Sequence, residues 1–166
     1  QVLPGEFTGL FRTRFRRDRD PLISIIISNR DHIDELKRCM NAIDSKSTYK
    51  NYEYVIVENN STDPATFQYY KDLEKENPKA RVVYWDGPFN FSAINNFGAK
   101  YARAEYFLLL YNDTEIINPD CLEELLGYCM RSDVGGVGAR LYYEDDTIQH
   151  AGVVIGFGGI AGHCFV

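Results

Sequence analysis

The stretch PLISIIISNRDHIDELKRCMNAI, residues 21–43, decides how the rest of the chain is read. Its first part, PLISIIIS (21–28), is short, β-branched and almost wholly apolar. Such a run marks a strand buried on both faces, the habit of parallel sheets. The period then changes. Ile33, Leu36, Met40 and Ile43 recur at helical spacing and predict an amphipathic helix. A buried strand leading directly into such a helix opens a βα unit.

The same alternation continues outward. YEYVIVENN (52–60) predicts a second buried strand, and residues 61–77 a helix with Asp63 as N-cap and Pro64 at its first position. ARVVYW (80–85) predicts a third strand. NFSAINNFGAKYAR (90–103) predicts a helix capped by Asn90 or Ser92. EYFLLLYN (105–112) predicts a fourth buried strand, followed by a helix over 118–132 opened by Asn118 and Pro119. VGGVGARLYY (134–143) predicts a fifth strand. Strands alternating with helices imply an α/β fold, Rossmann-like, with a mostly parallel sheet and helices on both faces. After Tyr143 the alternation stops, and Gly-rich, strand-like pieces follow a turn. Trp85, Phe89 and Phe91 are expected to be core. The expected organisation is an N-terminal arm over 1–20 and one domain over 21–166.

The chain has 166 residues, 45% hydrophobic and 25% charged, with a net charge of −6. That balance argues against nucleic acid as a partner, which needs clustered Lys and Arg. The local exception is FRTRFRRDRD (11–20), read either as a solvated arm or as a patch for anionic lipid heads or a neighbouring domain. No apolar run approaches the ~20 residues of a membrane helix. A chain without an integral membrane segment, cytoplasmic and at most peripheral at the inner face of the plasma membrane, is expected. The four cysteines form no CxxC pair, and His32, His150 and His163 are too scattered to suggest a metal cluster. GFGGIA (156–161) resembles a dinucleotide fingerprint but stands late in the chain, and is expected to be a turn.

In open α/β sheets ligands bind beyond the carboxyl ends of the strands. Those ends collect Ser28, Asn29, Arg30 and Asp31, then Glu58, Asn59 and Asn60, then Asp86 and Gly87, then Asn112, Asp113, Thr114 and Glu115. Asp113 and Glu115, two apart after a strand, can share a hard divalent cation or can cap the following helix. Glu58 and Asn59 can hydrogen-bond a base or ribose, or can belong to a turn, since NNSTDP is rich in turn formers.

In this order and spacing, residues 21–43, YEYVIVENNSTD (52–63) and FNFSAINNFGAKYARAEYFLLLYNDTEIINPDCLEELL (89–126) resemble the family 2 glycosyltransferases of the GT-A fold. The resemblance covers roughly 20–166. VGGVGARLYYEDDTIQHAGVVIGFGGIAGH (134–163) resembles the bacterial subgroup that builds O-antigens, capsules and rhamnose-containing polymers. The resemblance implies nucleotide contacts from the first-strand end, Ser28, Asn29, Arg30 and Asp31, and base and ribose contacts from Glu58 and Asn59. It places Asn96, Gly98 and Ala102 along the base and sugar. It makes Asp113-Thr114-Glu115 a DXD-type motif that holds ribose and the metal-bound diphosphate, with Asp113 contacting the nucleotide and both acids on a Mg²⁺ or Mn²⁺ ion. Four positions depart from the family pattern: Glu58 and Glu115 stand for Asp, and Arg30-Asp31 for Tyr-Asn.

The implied reaction moves a sugar, with inversion, from a nucleoside-diphosphate sugar to a glycan acceptor in surface polysaccharide synthesis. UDP- or dTDP-sugars are the favoured donors. The family's catalytic base is expected beyond Val166, so the chain is expected to be a C-terminally incomplete, donor-binding half. One alternative is a sugar-phosphate nucleotidyltransferase. SIIISNRD lacks the Gly-rich phosphate loop that chemistry needs. Another is a nucleotide-sugar-binding module without catalysis.

Overall fold

The computed structural model describes residues 1–5, 7–156 and 159–163. In chain order the elements are β1 (Val2–Pro4), β2 (Phe11–Thr13), β3 (Ile23–Asn29), α1 (Ile33–Lys46), β4 (Tyr52–Glu58), α2 (Pro64–Glu76) and β5 (Ala80–Tyr84). There follow α3 (Phe91–Ala99), β6 (Tyr106–Tyr111), α4 (Cys121–Cys129), β7 (Leu141–Tyr142), β8 (Ile148–His150), β9 (Val153–Ile155) and β10 (Ala161–His163). They form two compact units, Asp18–Glu123 and the pair of segments Gln1–Arg17 and Glu124–Val166.

The unit Asp18–Glu123 is a parallel four-stranded sheet of order β5-β4-β3-β6 flanked by helices. Successive strand residues point to opposite faces. Ile26, Val55, Val57 and Val83 share one face and form a core cluster with Ile94 of α3. Gly98 brings α3 close, since a Cβ there would stand 2.7 Å from Ile26 and 2.8 Å from Val57. Ile25, Ile27, Tyr54 and Ile56 share the other face. There the Tyr54 hydroxyl donates to Asp44 of α1, and Tyr70 of α2 donates to Glu58. Two of the predicted caps hold: Asp63 accepts from the Ala65 N–H with Pro64 opening α2, and Asn90 accepts from the Ala93 N–H. The third does not, since Asn118 and Pro119 lie in a turn and α4 begins only at Cys121.

Three expectations are corrected. Residues 134–140 form no strand, and only Leu141–Tyr142 pairs, antiparallel to β8. Gly135, Gly136 and Gly138 weaken any strand across that segment. β6 lies at the sheet edge, with Phe107, Leu109 and Tyr111 each about half exposed on one face. Phe89 and Phe91 are exposed, whereas Trp85 packs against the core cluster and Phe97.

In the other unit, β1 and β2 form an antiparallel hairpin, so the arginine-rich segment has structure. Arg12 and Arg14 both pair with Glu124, and the Tyr128 hydroxyl donates to the Thr13 carbonyl. β7–β8 and β9–β10 are short antiparallel pairs. The GFGGIA segment and Cys164 lie partly or wholly outside the described residues. Among the described residues no helix is long and apolar enough to cross a membrane.

Candidate functional site

Parallel strands end together, so the tips of β3, β4 and β6 lie side by side, with Asn29 opposite Glu58 and Ser28 opposite Tyr111. Ser28 is half-buried and Arg30 exposed. Asp31 and Asn60, just past β3 and β4, adopt left-handed backbone with φ of 59° and 58°. Asp and Asn tolerate that conformation better than other side chains, and such strain gathers at functional sites. The Asp31 carboxylate accepts from the Thr62 N–H and hydroxyl and from the Asp63 N–H. The Asp63 N–H chiefly holds it below the usual carboxylate range. The loop after β4 is therefore pinned to the end of β3.

Glu58 is 2% exposed. Its carboxylate accepts from the N–H and hydroxyl of Ser61 and, at 2.8 Å, from the Tyr70 hydroxyl. Asn59 is also buried, yet its Nδ2 has no hydrogen-bond partner. Buried polar atoms are normally paired, so this amide donor suits an acceptor oxygen on a ligand. Asn29 is buried as well, between Tyr70 and Asn112. Asn96 is exposed on α3, while Gly98 and Ala102 pack against the core.

Asp113 and Glu115 follow β6 and are both exposed. Arg38 of α1 stands 4.0 Å from Glu115. The two acids make themselves felt at Cys39, whose buried thiol donates to the Tyr111 carbonyl. Burial first, then Asp113 and Glu115, push that thiol up to about 12. Two hard carboxylates fit Mg²⁺ or Mn²⁺, which take one or two from protein and complete their shell with phosphate and water oxygens. Among the described residues no group of three or more His, Cys, Asp or Glu is arranged to hold a metal.

Tyr70 is the residue sequence reasoning missed. Thr66, Tyr70 and Leu73 recur at helical spacing and are the buried residues of α2. A Tyr at such a position needs a partner for its hydroxyl, which is the signal available in the sequence.

Comparison with known proteins places the chain. The model of glycosyl transferase family 2 matches residues 24–157. The chain is 40% identical over 162 residues to the uncharacterized protein y4gI of Sinorhizobium fredii, covering 98% of this chain and 18% of that one. It is 39% identical over 155 residues to the O-antigen biosynthesis protein RfbC of Myxococcus xanthus, covering 93% and 12%. It thus spans less than a fifth of either relative. The fold is similar to that of the mannosyltransferase PcManGT from Pyrobaculum calidifontis, solved with GDP-Man and Mn²⁺. There the TM-score is 0.63 at 17% identity, over 71% of this chain and 35% of that one. S. aureus TarS 1-349 superposes with a TM-score of 0.54 at 19% identity, over 74% and 40%. With a parallel sheet whose strand tips carry acids and amides, and a family match over most of its length, the chain belongs to glycosyl transferase family 2.

Proposed function

We propose that the strand tips bind a nucleoside-diphosphate sugar as donor for inverting transfer to a glycan acceptor in bacterial surface polysaccharide synthesis. The observation that carries this reading is the meeting of Asn59's unpartnered buried donor with the tips of β3 and β6, where Asp113 and Glu115 follow. Asn59 and Asn29 lie toward the nucleoside, with Ser28 and Arg30 flanking it. Asp113 and Glu115 would hold Mg²⁺ or Mn²⁺, which neutralises charge on the leaving diphosphate when bound. The acceptor hydroxyl loses its proton to a carboxylate base and attacks the anomeric carbon from the face opposite the leaving group. UDP or dTDP is the favoured nucleotide.

Calorimetric titration of UDP-, dTDP- and GDP-sugars, with Mn²⁺ and with EDTA, tests the donor assignment. Metal-dependent binding of at least one is expected, and binding of none would remove the reading.

A further inference from the structure

We infer that Tyr70 is a positioning residue whose hydroxyl couples the nucleoside end of the site to the loop carrying Asp113. This rests on the donor-site reading above. The Tyr70 side chain is fully buried. It donates to Glu58 Oε2 at 2.8 Å and accepts from Asn29 Nδ2 at 2.8 Å. Asn29 Oδ1 in turn accepts from Asn112 Nδ2 at 2.7 Å. A single run of hydrogen bonds therefore joins the end of β4, through α2, to the end of β3 and then to the residue before Asp113. The Asn59 N–H, donating to the Asn29 carbonyl at 2.9 Å, ties the β3 and β4 tips a second time.

Glu58 anchors the run at its β4 end. Its carboxylate is buried and already engaged by the N–H and hydroxyl of Ser61 and by Tyr70. It is held by them beside Asn59, whose Nδ2 is buried without a partner. The run is intolerant of partial removal, because each link is buried or half-buried and each loss orphans its neighbour. Displacing Asn29 shifts Asn112, and with it the backbone leading into Asp113. The coupling follows: metal binding at Asp113 and nucleotide binding at Asn59 are held in register by one phenol.

The test compares Tyr70→Phe, Asn112→Ala and, as a control on the same helix, Tyr69→Phe. The probes are UDP, dTDP and GDP, and the tightest binder to wild type is used throughout. Affinity is measured in Mn²⁺ and in EDTA, below every variant's melting temperature, and the ratio of the two is the readout. A structural defect lowers the melting temperature without moving that ratio. Tyr70→Phe and Asn112→Ala are each expected to lower it about fivefold or more, with Tyr69→Phe at the wild-type value. An unchanged ratio in Tyr70→Phe, whatever its melting temperature, overturns the inference while leaving the donor site standing. If Tyr70→Phe does not fold, Asn112→Ala alone decides in the same way. A change in Tyr70→Phe with none in Asn112→Ala also overturns it, since the coupling would then bypass Asn112. A wild-type chain that binds none of the three overturns the donor site and the inference with it.

Discussion

Two buried glutamates stand on β4, Glu53 near its start at 3% exposure and Glu58 at its end at 2%. Glu53 accepts from the Ser24 hydroxyl at 2.7 Å, from the Arg103 N–H at 2.8 Å and from the Arg103 Nε at 2.6 Å. Ser24 in turn accepts from the Ala104 N–H. Glu58 accepts only from neutral donors, Ser61 and Tyr70. At the amino edge of the sheet the acid has its cation, and that cluster is complete without a ligand. At the carboxyl edge Glu58 has no ion-pair partner among the described residues, Asp113 and Glu115 follow β6, and the cations there are exposed Arg30 and Arg38, 4.0 Å from Glu115. An edge whose buried acid has no cation of its own, with an orphaned amide beside it, is suited to a ligand that arrives with a cation.

The comparison breaks most visibly if Arg103 is removed. Arg103→Ala strands Glu53 in the interior. Loss of one partner from a buried pair costs 3–5 kcal/mol, and the half-exposed guanidinium brings the expectation down to about 3 kcal/mol. Urea unfolding at neutral pH measures it, and the affinity for nucleoside diphosphate should stay at the wild-type value. Burial pushes the Glu53 carboxyl up, but Ser24 and Arg103 outweigh it and leave it below its ordinary value. A depressed folded value adds stability above the unfolded value and loses it as pH falls through the folded one. The gap between wild type and Arg103→Ala should therefore be widest at neutral pH and close as the solution is acidified below the ordinary glutamate range.

The carboxyl edge answers to a different change. Glu115→Gln keeps size and hydrogen bonding and removes one charge. If a cation bridges Glu115 and the diphosphate, losing that charge-assisted contact costs about 1.5–3 kcal/mol, roughly a ten- to hundredfold loss of affinity. The loss should appear in Mn²⁺. In EDTA the variant should bind at least as well as wild type, because one carboxylate facing the diphosphate is gone. Urea midpoints should coincide, since Glu115 is exposed. Equal affinities in Mn²⁺ would return Asp113 and Glu115 to a helix-capping loop.

What could be read from the chain follows the range of the interactions. The change of period from 21–28 to 31–43, the Asp63-Pro64 cap pair and the acids after LLLY are local patterns, and they appear where expected. The match of Glu53 with Arg103 spans 50 residues, and that of Asn29 with Asn112 spans 83, so neither leaves a local trace. Glu58 reads from sequence as a strand-end acid open to ligand. Only the helix packed above it, with Tyr70 pointing down, shows that the carboxylate is enclosed. β6 reads as buried because its residues are apolar, but whether a strand is central or at an edge depends on its neighbours, not on its own composition.

Asn59→Ala separates stability from binding at one residue. Asn59 is 4% exposed, and its Nδ2 is buried without a partner. A buried donor left unmade costs about 1–3 kcal/mol of desolvation, so Asn59→Ala removes a cost along with a few atoms of packing. The small cavity offsets much of that gain. Net stability should change by less than about 0.5 kcal/mol, the range typical of neutral substitutions. Binding should fall nonetheless. If Nδ2 meets an oxygen of the nucleotide, the lost hydrogen bond is worth about 1 kcal/mol, roughly a fivefold weaker affinity. The weakening should be equal in Mn²⁺ and in EDTA, unlike that of Glu115→Gln, because the contact is to the nucleoside part and not to the cation. Matched urea and calorimetric titrations of both proteins decide it. A residue whose removal leaves the fold untouched and weakens the ligand is held for the ligand. If Asn59→Ala instead destabilises the chain by more than about 1 kcal/mol and binds as wild type, the amide belongs with Glu53 among the groups that serve the fold.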